Sequence, residues 1–215
     1  MDGSHGFAGE LLLWAVPIVV AIILHEVMHG VVARMLGDDT AARAGRLTLN
    51  PLAHIDPFGT IILPAILLFA HAPVFGYAKP VPVDFRQLHP RRAGMIAVAA
   101  AGPLTNLTLA ILSAAAFRML AAGLDPPAGF TAHRLLGQMA LASCIINIEL
   151  AVFNLLPLLP LDGGRVLAGL LPVRLARPFA RLERFGFLIL LLLLYTNTVD
   201  AVINPIINAI ARALL

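Results

Sequence analysis

From Leu11 to Leu24 every residue is apolar or proline, and the chain then runs without a break into Leu-His-Glu-Val-Met-His-Gly, Leu24 to Gly30. A helix needs about 20 apolar residues to cross the ~30 Å hydrocarbon core of a bilayer. The segment at roughly 9–36 supplies them, and two more long apolar runs follow at about 93–120 and 135–156. Hydrophobic residues make up 60% of the 215 and charged residues only 13%. That balance excludes an ordinary soluble domain and points to an integral membrane protein. Within this context His25, Glu26 and His29 stand out, because ionisable groups at membrane depth are costly and usually functional.

The other segments are shorter. Arg46 to Asn50, "RLTLN", alternates and predicts a short strand. Residues 57–73 are apolar but broken by Pro64 and Pro73, too short for a crossing; they predict a re-entrant or interfacial hairpin. "GYAKPVPVD", residues 76–84, reads as extended. A turn around Asp125 separates the second and third spans. A basic segment from Arg165 to Arg184 leads to a fourth span, "FGFLILLLLLY", and then to a tail that is either amphipathic or a short fifth span.

Positive charge orients these spans. Arg34, Arg43 and Arg46 follow the first; Lys79, Arg86, Arg91 and Arg92 precede the second; Arg165, Arg174, Arg177, Arg181 and Arg184 follow the third. All are expected in the cytoplasm, which puts the N-terminus outside. That N-terminus lacks a basic region and a small-residue cleavage site, so it is expected to be retained. The net charge of +3 is accounted for by these loops. No dense basic run with interleaved aromatics suggests nucleic acid. The one cysteine, Cys144, excludes a disulfide within the chain and a thiolate metal cluster.

Positions i and i+4 share a helix face, so His25 and His29 can hold one metal ion together. Glu26, beside them, can take a proton from a water that such a metal activates. A catalytic zinc needs a third protein ligand and one open position. Asp162, in "PLLPLDGGR", is the best candidate: Pro157 and Pro160 break the helix before it, and Gly163 and Gly164 permit close packing. A chain with the same three residues as a transport site, a metal-binding membrane transporter, is the alternative. Transporters more often show repeated halves and further intramembrane carboxylates, and neither is visible here.

These elements together resemble the site-2 protease family of intramembrane zinc metalloproteases. The resemblance rests on "HEVMH", on "NLLPLLPLDGG" and on "AAAGPLTN", and covers roughly residues 15–170. It implies one Zn2+ per chain on His25, His29 and Asp162, with Glu26 as general base and then proton donor. It implies that Asn154 binds the backbone of an extended substrate, and that Asn106 supports the substrate or the site; interhelical hydrogen bonding is the alternative for both asparagines. "GYAKPVPVD" is similar to the family's cytoplasmic edge element, or is simply a proline-rich loop. His54 is either a supporting neighbour of the site or a hydrogen-bonded structural histidine. Glu149 departs from the apolar pattern of the third span and should face away from Asn154.

The expected fold is an all-α polytopic membrane protein, a single membrane-embedded domain over residues 1–215. A three-helix catalytic core would fill about 9–170, with a small cytoplasmic-side β or re-entrant element, and extra C-terminal helices would follow over about 178–215. Expected partners are a transmembrane protein or peptide substrate, the lipid bilayer and regulatory membrane proteins, because no PDZ or CBS domain is visible. A prokaryotic cell membrane is the expected location, with the site toward the cytoplasm.

The charge pattern makes a direct prediction. Reporter tags at the N-terminus and beside Asp125 should be accessible from outside, and tags beside Arg91 and Arg177 from the cytoplasm. A tag near Arg91 that maps outside would mean that residues 57–73 cross the membrane.

Overall fold

A computed structural model describes residues 7–70, 76–122 and 132–215. Three long helices carry the fold: α1 (Phe7–Met35), α4 (Arg91–Ala122) and α5 (Ala132–Asn154). Each is long and apolar enough to cross a membrane. They pack on one another in all three pairings. Small residues are buried along the helices that meet: Ala33 of α1 packs with Val98 of α4, and Ala21 of α1 with Ala142 of α5. Small side chains let backbones approach, which is how helices associate where lipid removes the hydrophobic drive. Outward faces carry exposed large apolar residues such as Leu11, Trp14, Ile111 and Leu112, as a lipid-facing surface requires.

Around this core lie short elements. α2 (Thr40–Arg43) follows α1. A 3-10 turn (Pro51–His54) and a π-helical turn (Pro57–Ile62) lead into α3 (Leu63–Phe69). The apolar helix from Pro57 to Phe69 is 13 residues long, about 20 Å at 1.5 Å per residue, well short of a crossing. Its expected return at 71–73 lies outside the described residues, as do residues 123–131 with Asp125. After α5 come α6 (Asp162–Leu170), packed on α4, then α7 (Val173–Arg181), α8 (Glu183–Tyr195) and α9 (Thr198–Leu214).

One expectation is refined and one corrected. α8 has 13 residues, too few to be an independent fourth span; it continues into α9 after a bend of 76°, and the two form one broken pair. α9 packs on α5 through Val199, Ile203 and Ile207, which join Cys144, Ile148 and Val152 in one buried cluster. The strand expected at Arg46–Asn50 is also absent, and no strand occurs among the described residues. Side chains take the place of a ladder there. The Arg46 guanidinium donates to Lys79 O (2.7 Å), and His54 Nε2 donates to Thr48 O (2.9 Å). Residues 76–83 are nonetheless extended, held along one edge by Tyr77 N–H to Gly59 O (3.0 Å) and Lys79 N–H to His54 O (2.9 Å).

The far end of that segment is clamped by Asp38, which is fully buried. Its carboxylate accepts from Asp84 N–H (2.7 Å), Thr40 N–H (2.9 Å) and the Thr40 hydroxyl. Asp84 in turn accepts from the Arg86 side chain (2.9 Å), and this contact, with a further one from Gln87, holds its carboxyl well below the usual range. Asp38→Ala strips two half-buried N–H groups of their acceptor, a loss on the order of 1 kcal/mol. Hydrogen exchange should then speed up at residues 81–88 while α4 and α5 stay protected. Unchanged exchange there would show that the clamp is dispensable.

Candidate metal centre

The helical spacing of His25 and His29 puts both imidazoles on the face of α1 that meets α4. They are nearly buried, 7% and 8% exposed. Their Nε2 atoms stand 3.1 Å apart. Asp162 Oδ2, from the first turn of α6, lies 3.2 Å from one and 3.3 Å from the other. Three lone-pair-bearing atoms from two distant stretches of sequence thus converge on one point.

Hydrogen bonds on the far side of each ring decide what those atoms can do. His25 Nδ1 donates to Asn106 Oδ1 (2.6 Å), and His29 Nδ1 donates to Val98 O (2.7 Å). With Nδ1 protonated, each neutral ring turns an unprotonated Nε2 toward the other. Asp162 Oδ2 is buried and receives no hydrogen bond. A single shared proton would settle one of the three close contacts and leave the rest repulsive. A divalent cation settles all of them. Ligands at ~2.0–2.2 Å from a tetrahedral ion stand about 3.3–3.6 Å from one another, close to the separations here. The donor set, two imidazoles and a carboxylate, suits zinc and similar ions and leaves a fourth position for solvent or substrate.

Neighbouring backbone shows the same fit. A methyl group added at Gly102 of α4 would lie 2.5 Å from His25 Cε1 and 2.5 Å from His29 Nε2, so only glycine lets α4 pass under the rings. Gly163 and Gly164 press against the backbone of Leu155–Leu159. That contact folds α6 back from the end of α5 and brings Asp162 to the histidines. A carboxylate in the first turn of a helix is also favoured by the free N–H groups there.

The site opens into a cleft of about 590 Å³ lined by Glu26, Tyr77, Phe153, Asn154 and Leu190 among others. Glu26 sits within it, half-buried, and its Oε2 accepts from Val81 N–H (2.8 Å). Asn154 lines the cleft and spends its amide N–H on Leu150 O of its own helix (2.9 Å). That bond uses one of its two amide hydrogens, so its oxygen and its second hydrogen are left for a bound chain. Asn106, expected to support the substrate or the site, is fully buried behind His25 and accepts from its Nδ1, a position that fits support of the site. His54 does not join the cluster; it is buried against Thr48 and braces the 76–83 segment. Glu149 is exposed on α5, away from the cleft lining. Sequence reasoning passed over Asn147, buried on α5 and donor-acceptor partner of Asn106.

An apolar helix bundle that converges two imidazoles and a carboxylate beside a glutamate-lined cleft defines a membrane protein with a hydrolase-type metal centre. Comparison with known proteins gives the family. A profile described as Peptidase family M50 matches residues 128–196. YwhC of Bacillus subtilis is 39% identical over 196 residues, covering 90% of this chain and 85% of that protein. Rip2 of Mycolicibacterium smegmatis is 30% identical over 195 residues, with 90% and 71% covered. MJ0611 of Methanocaldococcus jannaschii is 33% identical over 145 residues, with 67% and 63% covered. All three carry provisional names as zinc metalloproteases. No solved structure matches. The chain belongs to peptidase family M50.

Gly102→Ala tests the packing argument. The added methyl must displace the imidazoles, so affinity for a divalent transition metal should fall roughly 10–100-fold, as when a ligand's support is disturbed. Helix content by circular dichroism should not change. Titration against a chelator reads the affinity, and wild-type binding by Gly102→Ala would refute the close approach.

Proposed function

We propose that the chain is an intramembrane zinc endopeptidase that cuts transmembrane segments of membrane-tethered proteins near the cytoplasmic side of the membrane. The observation that carries this reading is the convergence of His25 Nε2, His29 Nε2 and Asp162 Oδ2, at 3.1–3.3 Å, beside the carboxylate of Glu26. Those three atoms would hold the zinc, which when bound lowers the pKa of water and polarises a carbonyl. Glu26 would accept the proton of the attacking water and pass it to the departing amine. Its hydrogen bond from Val81 N–H fixes one oxygen and leaves the other for that exchange.

A substrate helix offers its peptide bonds poorly, because each carbonyl is engaged four residues on. It must unwind, and the extended 76–83 segment has the character to receive it. Tyr77, Lys79 and Val81 spend their N–H groups on Gly59 O, His54 O and Glu26. By strand alternation the opposite edge carries the backbone groups of Ala78, Pro80 and Pro82. Prolines have no N–H, so that edge offers mainly carbonyls. Ala78 and Pro80 line the cleft. A bound strand would therefore be held by its own N–H groups, by β-addition, with Asn154 Oδ1 as a further acceptor.

Glu26→Gln separates chemistry from metal binding. The amide keeps the shape but cannot take a proton, and general-base contributions run about 10²–10⁴-fold. The variant should keep its zinc and cleave a test transmembrane substrate slower by that factor. In the wild type, a substrate with a Gly-Pro break should be cut faster than an all-leucine one, because it unwinds at lower cost. Undiminished cleavage by Glu26→Gln would overturn the assignment.

A further inference from the structure

We propose that Asn147 is a positioning residue for the metal centre: acting through Asn106, it decides which ring nitrogen of His25 carries the proton. This rests on the reading of His25, His29 and Asp162 as metal ligands. The two asparagines form a relay that crosses three helices. Asn147 Nδ2 donates to Ser143 O (2.8 Å), a backbone carbonyl one turn back on α5 that can only accept. That fixes the orientation of the Asn147 amide and turns its Oδ1 outward. Asn106 Nδ2, on α4, donates to that oxygen (2.8 Å) and more weakly to Ala21 O of α1 (3.4 Å). Asn106 Oδ1 is thereby presented to His25, whose Nδ1 donates to it at 2.6 Å. With Nδ1 protonated, His25 Nε2 is free to ligate.

The direction of each bond follows from the one before. If the Asn106 amide turned over, its oxygen would face Asn147 Oδ1 and Ala21 O, two acceptors, and its NH₂ would face His25 Nδ1. That arrangement favours a proton on Nε2, the tautomer that cannot bind a metal. Asn106 and Asn147 are 0% and 1% exposed, so water does not substitute for a missing partner. His29 needs no such relay, because its Nδ1 faces a backbone carbonyl directly.

The full chain is purified, stripped of metal, and tested in two ways. Zinc affinity is measured by chelator competition. The His25 tautomer is read from nitrogen-15 shifts of the metal-free protein, with the signal assigned by its loss in His25→Gln. Asn147→Leu, close in shape, should weaken zinc about 10-fold and move the His25 proton toward Nε2; Asn106→Leu should cost about 10–100-fold. The double variant should match Asn106→Leu alone. In Asn106→Asp the carboxylate can only accept, so His25 is held without help, and adding Asn147→Leu should change nothing further. Thr108→Val removes a hydrogen bond on α4 outside the relay, Thr108 Oγ1 to Leu104 O (2.9 Å), and should leave zinc affinity within about 2-fold of wild type, the scale of a merely structural loss. If Asn147→Leu does not accumulate, Asn147→Ala is read the same way. Wild-type affinity and tautomer in the Asn147 variants would overturn the relay. So would losses that add to those of Asn106→Leu. A wild-type chain without zinc affinity would instead overturn the ligand reading and the relay with it.

Discussion

Three buried acceptor atoms that face one another repel unless a cation or a proton lies among them, and the rest of the fold is arranged to bring them together. His25 and His29 are fixed by helical spacing, but Asp162 comes from 133 positions further along the chain than His29. Bringing it there needs α5 to end, α6 to turn back, and Gly163 and Gly164 to let two backbones touch. It also needs α4 to slide beneath the rings at Gly102. Each of these is a place where a side chain was given up for proximity. In a bilayer that choice carries an added benefit, since small residues are also what hold membrane helices together.

Much of the site was legible because its chemistry is local. The His-Glu-x-x-His spacing declares a shared helix face, and Pro-x-x-Pro-x-Asp-Gly-Gly declares a chain that stops, turns and packs closely. Asn106 was legible as a support of either the substrate or the site, without a sign of which. Its side, toward His25 and not toward the cleft, depends on how α4 rotates against α1, and no periodicity in a uniformly apolar helix reports that. Asn147 was harder still. The available signal was Ser143 and Asn147 at i and i+4 on α5, with Asn154 one further turn-pair along the same face. The strand expected at Arg46–Asn50 failed for a different reason. Its alternation is real, but the guanidinium of Arg46 and the ring of His54 occupy carbonyls that a pairing strand would have used.

The fourth span was legible in composition but not in its shape. Phe185 to Tyr195 is as apolar as any stretch in the chain, yet α8 ends after 13 residues and bends into α9. Apolar character says that a segment avoids water; only length says that it crosses. α9 then packs along α5, with Ile203 and Ile207 against the helix that carries Asn147 and Asn154. The C-terminal pair therefore buttresses the helix that leads to Asp162.

The hydrogen bond from Val81 N–H to Glu26 joins the two halves of the proposed chemistry. The segment that would receive a substrate strand is the same one that holds the general base, through adjacent residues of a single extended stretch. That stretch is braced at one end by His54 and Arg46 and at the other by Asp38. A strand laid along Ala78, Pro80 and Pro82 is thus registered against Glu26 by the covalent geometry of the backbone, about 3.3 Å per residue. The base needs no separate means of finding the scissile bond. In the proposed reading its reach would be set by the edge that binds the substrate, while the asparagine relay through α4 would orient His25 from the other side.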